Sequence, residues 1–379
     1  MKYYIISGEA SGDMHGANLI AQLYAKDPQA NIRCWGGDKM QAAGATLVKH
    51  YKSLAFMGFV EVVANLKTIL SNISFCKKDI IAFGPDCIIY IDYPGFNLRI
   101  AKWAKEKNYT NIYYISPQVW AWKQSRVQLI KQVVDKMLVI LPFEKEFYRK
   151  FNFEVEYVGH PLLDELNKYK QDFNLQQFLQ HNNLNQTPII ALLSGSREQE
   201  VNNMLSQMLA AGKLVTTHQL VIAGAPALSI AFYETCLRSF GIATDDVKII
   251  YNQTYELLQA ADVAMVTSGT ATLETALIGT PQVVCYKSNV VSYWIALQLI
   301  KVKYISLVNL IADKLIVKEL IQHDMNAQNI YNEINLLLTN MKYRTTMTTN
   351  YMQLVKMLGN AGASSNAAQQ IVDYLTTKK

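Results

Sequence analysis

A chain of 379 residues, half of them hydrophobic, is long enough for two α/β domains and too apolar for general disorder. A net charge of +6 suits an anionic membrane surface or phosphorylated substrates and is too mild to argue for nucleic-acid binding. The five cysteines (Cys34, Cys76, Cys87, Cys236, Cys285) have no paired spacing, which argues against zinc and for reduced thiols in a cytoplasmic protein.

In chain order, Met1-Lys2 leads directly into the apolar run Tyr3–Ile6, so no secretory leader is expected. No apolar run reaches the roughly 18 residues a spanning helix needs. The first strand turns through Ser7-Gly8-Glu9-Ala10-Ser11-Gly12-Asp13, and the spacing from Ala17 to Leu23 predicts a helix. Asn31–Trp35 reads as a second strand ending at Gly36-Gly37. Next comes Leu54-Ala55-Phe56-Met57, and then Phe59, Val62, Val63, Leu66, Ile69, Leu70 and Ile73 share one helical face. Lys67, Lys77 and Lys78 lie at or beyond its end. Such a face packs either on a core or on a membrane, and the apolar approach makes it richer than one buried stripe requires.

Cys87–Ile91 has the continuous apolar character of a parallel strand and ends in Asp92-Tyr93-Pro94-Gly95-Phe96-Asn97. A carboxylate at a strand's carboxyl end sits where open α/β sheets bind ligands, although an Asp can also serve only to stabilise a turn. Ile112–Ile115 is a further strand. Its loop, Ser116-Pro117-Gln118-Val119-Trp120-Ala121-Trp122, sets tryptophans beside Lys123 and Arg126, either as the floor of a sugar site or as ordinary packing. Lys136–Leu141 precedes Pro142-Phe143-Glu144, a Pro-started helix. Val155–Val158 then leads to Gly159-His160-Pro161, at the expected exit from a first domain.

Residues 165 to 187 are polar and Gln/Asn-rich and are expected to link two domains. Ile189–Leu193 then runs through Ser194-Gly195-Ser196-Arg197 into a helix that opens with Glu198 and Glu200. A strand that turns through Gly into a helix aims backbone N–H groups at an anion, and Arg197 adds a charged fork for phosphate oxygens. Strands are expected at Gln219–Ala223, Lys248–Tyr251, Asp262–Val266 and Gln282–Lys287. The fourth of this half-chain's strands, from Asp262, opens onto Thr267-Ser268-Gly269-Thr270, a second phosphate-type turn. Glu274, one helical turn on, is within reach of ribose hydroxyls or is merely a favourable charge near a helix start. Residues 290 to 300 form a strongly apolar helical pattern, and Asn309 is a candidate ligand contact.

The repeated strand–glycine turn–helix opening predicts two Rossmann-like α/β lobes facing each other across a cleft. The expected boundaries are 1–165, 166–340, and C-terminal helices 341–379 that pack back on the first lobe or on a partner subunit.

Six motifs occur in order: Ser7–Asp13, Ser116–Trp122, Leu141–Glu144, Gly159–Pro161, Gly195–Val201 and Ser268–Glu274. Together they resemble the lipid-A-disaccharide synthase family, inverting glycosyltransferases of the GT-B fold found in Gram-negative bacteria. The resemblance implies transfer of 2,3-diacylglucosamine from its UDP derivative to 2,3-diacylglucosamine 1-phosphate. The products would be a β-1,6-linked disaccharide 1-phosphate and UDP, formed with no metal or other cofactor. It implies peripheral association with the cytoplasmic face of the inner membrane, and it is compatible with a homodimer. Carried onto this sequence, it makes Asp92 the catalytic base and gives the UDP contacts to Gly195, Ser196, Arg197, Ser268, Gly269, Thr270 and Glu274, with Asn309 beside them. In the first lobe, Gly8, Glu9, Ser11, Gly12, Asp13, His15, Trp120 and His160 are the cleft candidates. The membrane patch falls on Phe56, Met57, Phe59, Val62, Val63, Leu66, Ile69 and Leu70. Ser194 stands where many relatives have Pro, and Gly95 stands where some carry a second acid, so Asp92 is expected to work alone.

The chemistry agrees with these roles. Inverting transfer needs a base for the acceptor 6-hydroxyl and positive charge for the departing diphosphate. Two rival readings are another GT-B enzyme, such as a UDP-GlcNAc 2-epimerase, and a non-catalytic membrane adaptor that binds a nucleotide sugar.

Overall fold

The structure, a computed structural model, describes residues 1–53, 66–169, 173–289 and 302–378. The chain divides into two compact units, Met1–Asp164 with Asn360–Lys379, and Glu165–Gly359.

The first unit is built on seven strands: β1 (Lys2–Ser7), β2 (Asn31–Gly36), β3 (Thr46–His50), β4 (Cys87–Ile91), β5 (Thr110–Tyr114), β6 (Lys136–Val139) and β7 (Glu156–Tyr157). They pair in parallel in the order β3-β2-β1-β4-β5-β6-β7. Alternate residues feed two cores, as the two-residue period of a strand requires. Tyr4, Ile6, Ile88, Tyr90 and Tyr113 pack on one face, and Tyr3, Ile5, Ile89, Ile112 and Tyr114 on the other. Burial on both faces is why these strands read as unbroken apolar runs.

The second unit repeats this plan with β8 (Ile189–Leu193), β9 (Gln219–Gly224), β10 (Lys248–Tyr251), β11 (Ala261–Thr267), β12 (Gln282–Tyr286) and β13 (Lys318–Ile321). All pair in parallel, in the order β10-β9-β8-β11-β12-β13. Each sheet therefore reverses its winding once, between β1 and β4 in the first and between β8 and β11 in the second. Such reversals open the crevice at the carboxyl ends of the strands where α/β sheets take ligands.

Two sequence expectations need correction. The C-terminal helices do not act together: Met341–Leu358 belongs to the second unit, and only Ala363–Lys378 belongs to the first. There Ala367, Ala368, Ile371 and Leu375 share a core with Leu19, Ile20 and Leu23 of the helix Ala10–Lys26. The Asp164 carboxylate secures the start of that last helix by accepting the backbone N–H groups of Gly362 and Ser364. Nor is the stretch from 165 to 187 only a linker. Leu175–His181 is a helix whose cap, Asn174, accepts from the N–H of Gln177, and Phe178 and Leu179 enter the core of the second unit.

Of the expected membrane patch, Phe56, Met57, Phe59, Val62 and Val63 lie outside the described residues, as does the apolar stretch 290–300. Leu66 begins the helix Leu66–Phe83. Beyond it the stripe divides: Ile73, Cys76, Ile80 and Phe83 enter the core and Ile69 is half-buried against it, while Leu70 is 54% exposed. Among the described residues no helix is long and apolar enough to cross a membrane.

Candidate active site

In the first unit, the loops after β1 and β4 lie side by side because Ser7 pairs with Ile91. The contact is close: a Cβ on Gly8 would stand 2.3 Å from Cγ of Tyr93, so only glycine lets the two loops approach. Asp92 is the first residue after β4. It is partly buried, and its φ is +42°; Tyr93 follows at +48° and Ile115, the first residue after β5, lies at +66°. Non-glycine residues held in this region cost roughly 1–3 kcal/mol each and persist only where surrounding contacts impose them. Here the Asp92 N–H donates to the carbonyl of Ile115 at 3.1 Å. Its carbonyl accepts from the Tyr113 hydroxyl at 2.5 Å and from Asn97 Nδ2 at 2.8 Å.

Burial raises the Asp92 carboxyl to about pKa 7, the nearby Glu9 carboxylate adds to the rise, and the N–H of Tyr93 opposes it. Glu9 caps the helix Ala10–Lys26 with no side-chain cap bond, and it accepts from the Ser11 hydroxyl at 3.0 Å. The pair therefore supplies a desolvated carboxylate with a neighbouring like charge, the arrangement that tunes an acid toward neutrality.

Other first-unit candidates have structural occupations. Asp13 is buried, and its carboxylate accepts the backbone N–H groups of Gly37 (2.7 Å), Met40 (3.1 Å) and Lys39 (3.2 Å), which fixes the turn after β2. Gly12 packs against Ser7, where a Cβ would lie 2.9 Å from the serine Cβ. Trp120 is buried edge-on against Phe143 with ring centroids 5.0 Å apart, an aromatic packing contact. His160 is buried, and its Nδ1 accepts from the N–H of Leu162 at 3.3 Å. Burial, with a smaller contribution in the same sense from the neighbouring His15, lowers its pKa to about 3, so its ring stays neutral.

In the second unit, the turns after β8 and β11 are likewise neighbours, since Val266 pairs with Leu193. Gly195 has a φ of +119°, and a Cβ there would lie 2.6 Å from Cβ of Glu200. Glu200 braces the turn: its carboxylate accepts from the N–H of Ser196 at 2.9 Å and pairs with Arg197 at 3.5 Å. Arg197 is the N-cap residue of the helix Glu198–Lys213, and its side chain is 58% exposed. After β11, Gly269 is the N-cap residue of the helix Thr270–Ile278, and Gly269 and Thr270 are both exposed. The Ser268 hydroxyl donates to the carbonyl of Ile305 at 3.0 Å. Glu274 accepts from the Tyr255 hydroxyl at 2.9 Å, and burial raises its pKa. Two helix N-termini and one guanidinium thus gather at a single switch point, a setting for a diphosphate.

Asn309 requires a correction. It is buried, its Nδ2 donates to the Val317 carbonyl and to Glu319, and its Oδ1 accepts from the N–H groups of Ile316 and Val317. Those four bonds fill the amide's capacity, so its side chain is a structural clasp rather than a ligand contact. Residues to which sequence reasoning gave no site role are Asn97, Tyr113, Glu200 and Tyr255. The one signal for any of them was Glu200, three residues after the cap position, the spacing of a capping box.

Fold and site together define an α/β enzyme of the GT-B class. Solved structures of that fold include UDP-GlcNAc 2-epimerase from Neisseria meningitidis bound to UDP-GlcNAc (TM-score 0.68, 15% identity, 98% of this chain and 100% of that one). They also include the S. aureus MnaA–UDP co-structure (TM-score 0.67, 15% identity, 99% and 97%). At such identities the likeness is one of fold alone.

The family described as lipid-A-disaccharide synthetase matches residues 3–373. The lipid-A-disaccharide synthase of Syntrophus aciditrophicus (strain SB) is 39% identical over 96% of this chain and 95% of its own. That of Coxiella burnetii (strain CbuG_Q212) is 35% identical over 97% and 96%, and lipid-A-disaccharide synthase 1 of Legionella pneumophila (strain Lens) is 36% identical over 99% and 97%. The chain belongs to the lipid-A-disaccharide synthase family of glycosyltransferases.

Proposed function

We propose that the chain transfers 2,3-diacylglucosamine from UDP-2,3-diacylglucosamine to 2,3-diacylglucosamine 1-phosphate, with Asp92 as the base. The observation that carries this reading is the pairing of roles with switch points. A desolvated carboxylate with a pKa of about 7 stands at the first, and paired N-terminal turns with Arg197 stand at the second. In the reaction, Asp92 takes the proton of the acceptor 6-hydroxyl as its oxygen attacks the anomeric carbon, and the bond from that carbon to the UDP oxygen breaks. A carboxylate with a pKa near the working pH combines adequate ionisation with proton affinity, which is what a general base requires. The turns Gly195–Arg197 and Ser268–Thr270 hold the diphosphate as it gains charge, and Glu274 takes a ribose hydroxyl.

Incubating the protein with both acylated sugars, and in parallel with UDP-GlcNAc, and reading the products by mass spectrometry tests this. The expected result is a disaccharide 1-phosphate formed in step with UDP. Epimerised UDP-GlcNAc as the only product, or no acceptor-dependent release of UDP, would overturn it.

For the acyl chains and a peripheral place on the inner membrane's cytoplasmic face, the support is the apolar stripe that contains exposed Leu70, together with the basic balance of the chain. Val62→Ser with Leu66→Ser should release the protein from anionic vesicles, and unchanged sedimentation with lipid would assign that stripe to the core.

A further inference from the structure

The turn that carries Asp92 is held by groups with no evident duty of their own. Asp92, Tyr93 and Ile115 all adopt left-handed backbone, and Ile115 is β-branched, which makes that conformation a true outlier. They sit at the ends of adjacent strands, β4 and β5, and are tied together by the bond from the Asp92 N–H to the Ile115 carbonyl. Two buried side chains close the arrangement from beneath. Asn97, in the helix Pro94–Glu106, directs Nδ2 at the carbonyls of Asp92 (2.8 Å), Ile91 (3.3 Å) and Ile6 (3.5 Å), and so joins the ends of β1 and β4. Tyr113, in β5, donates its hydroxyl to the same Asp92 carbonyl. Both are fully buried. A relaxed turn would take the acceptor from the buried Tyr113 hydroxyl and the shortest of its bonds from Asn97, so Asp92 is held in its unusual conformation from both ends of its residue.

We propose that Asn97 and Tyr113 are positioning residues for the transfer reaction: their amide and hydroxyl clamp the Asp92 backbone and so fix the direction of its carboxylate. This rests on the reading of Asp92 as the base. It predicts that the clamp acts on turnover through Asp92 and not through donor binding, because neither side chain belongs to the turns assigned to UDP.

The test is a double-mutant cycle with Tyr113→Phe, which removes one oxygen and keeps the ring, and Asp92→Asn, with Asn97→Ser as a second probe of the clamp. Circular dichroism and UDP calorimetry accompany each variant. Tyr113→Phe is expected to lower kcat by about tenfold, as a displaced reacting group does, with UDP affinity within about twofold of the parent. In the Asp92→Asn background the same change should cost less than about twofold, because the group it positions has gone. Parental kcat for folded Tyr113→Phe and Asn97→Ser would overturn the clamp and leave the base reading intact. Losses that simply multiply in the double variant would also overturn it. Near-parental turnover of Asp92→Asn alone would instead remove the base reading itself.

Discussion

The carboxyl ends of β1 and β4 and those of β8 and β11 occupy equivalent places in two sheets that share the same winding, the first with one strand more, yet they carry opposite chemistry. The first presents two carboxylates, Glu9 and Asp92, partly withdrawn from water on a turn of left-handed non-glycine residues. The second presents an exposed guanidinium and two turns that use glycine, at Gly195 and Gly269. Glycine adopts left-handed backbone without penalty and lets a large ligand approach. An aspartate put in that conformation must be held there, and the surrounding hydrogen bonds supply the constraint. On the proposed reading, the same frame serves two tasks: rigid placement of one proton acceptor, and an accessible seat for a diphosphate.

The contrast predicts a separation of effects, and the largest should come from the carboxylate. Asp92→Asn is expected to lower kcat by at least about 100-fold, the low end for loss of a general base, with UDP affinity unchanged in calorimetry. Near-wild-type turnover by a folded variant would break the comparison. Arg197→Ala should do the reverse. It should weaken UDP binding by about tenfold or more, as loss of a charge-assisted hydrogen bond does, and the loss should shrink as salt is raised. Parental UDP affinity in that variant would move the diphosphate elsewhere.

A smaller effect concerns stability in acid. His160 is held neutral with its pKa lowered to about 3, below the ordinary histidine value of 6.5. Between those values the unfolded chain binds more protons than the folded one, so this group's contribution to stability is lost as pH falls through that window. His160→Asn, whose amide oxygen can still accept from Leu162, should flatten the acid side of a melting-temperature profile. An unchanged acid slope would mean that another group governs it.

Much of this could be read from sequence, for a physical reason. Strands buried on both faces appear as unbroken apolar runs, and the residues ending β4, β8 and β11 announce themselves as Asp, Gly or Ser-Gly. Two of the four edge strands do not: Thr46–His50 and Lys318–Ile321 carry few apolar residues, and most of their positions are only half-buried or exposed. The Gln/Asn-rich region after 165 concealed a helix because two buried residues, Phe178 and Leu179, suffice to dock it. Asn309 looked like a ligand contact because the four groups that bind its amide are brought to it only by the fold. Tyr113 was hidden for the same reason: its place under Asp92 follows from the register of β4 and β5, in which Tyr90 pairs with Tyr113, and not from its spacing in sequence.

The most direct measurement is the pH dependence of kcat/KM for the intact protein beside its Glu9→Gln variant. Because burial and Glu9 raise Asp92 to about 7 and the base works as a carboxylate, activity should rise with pH through a midpoint near 7. Removing the Glu9 charge should move that midpoint to lower pH. A rate that stays flat from about pH 5 to about pH 8, or a midpoint indifferent to Glu9, would contradict the assignment of proton transfer to Asp92.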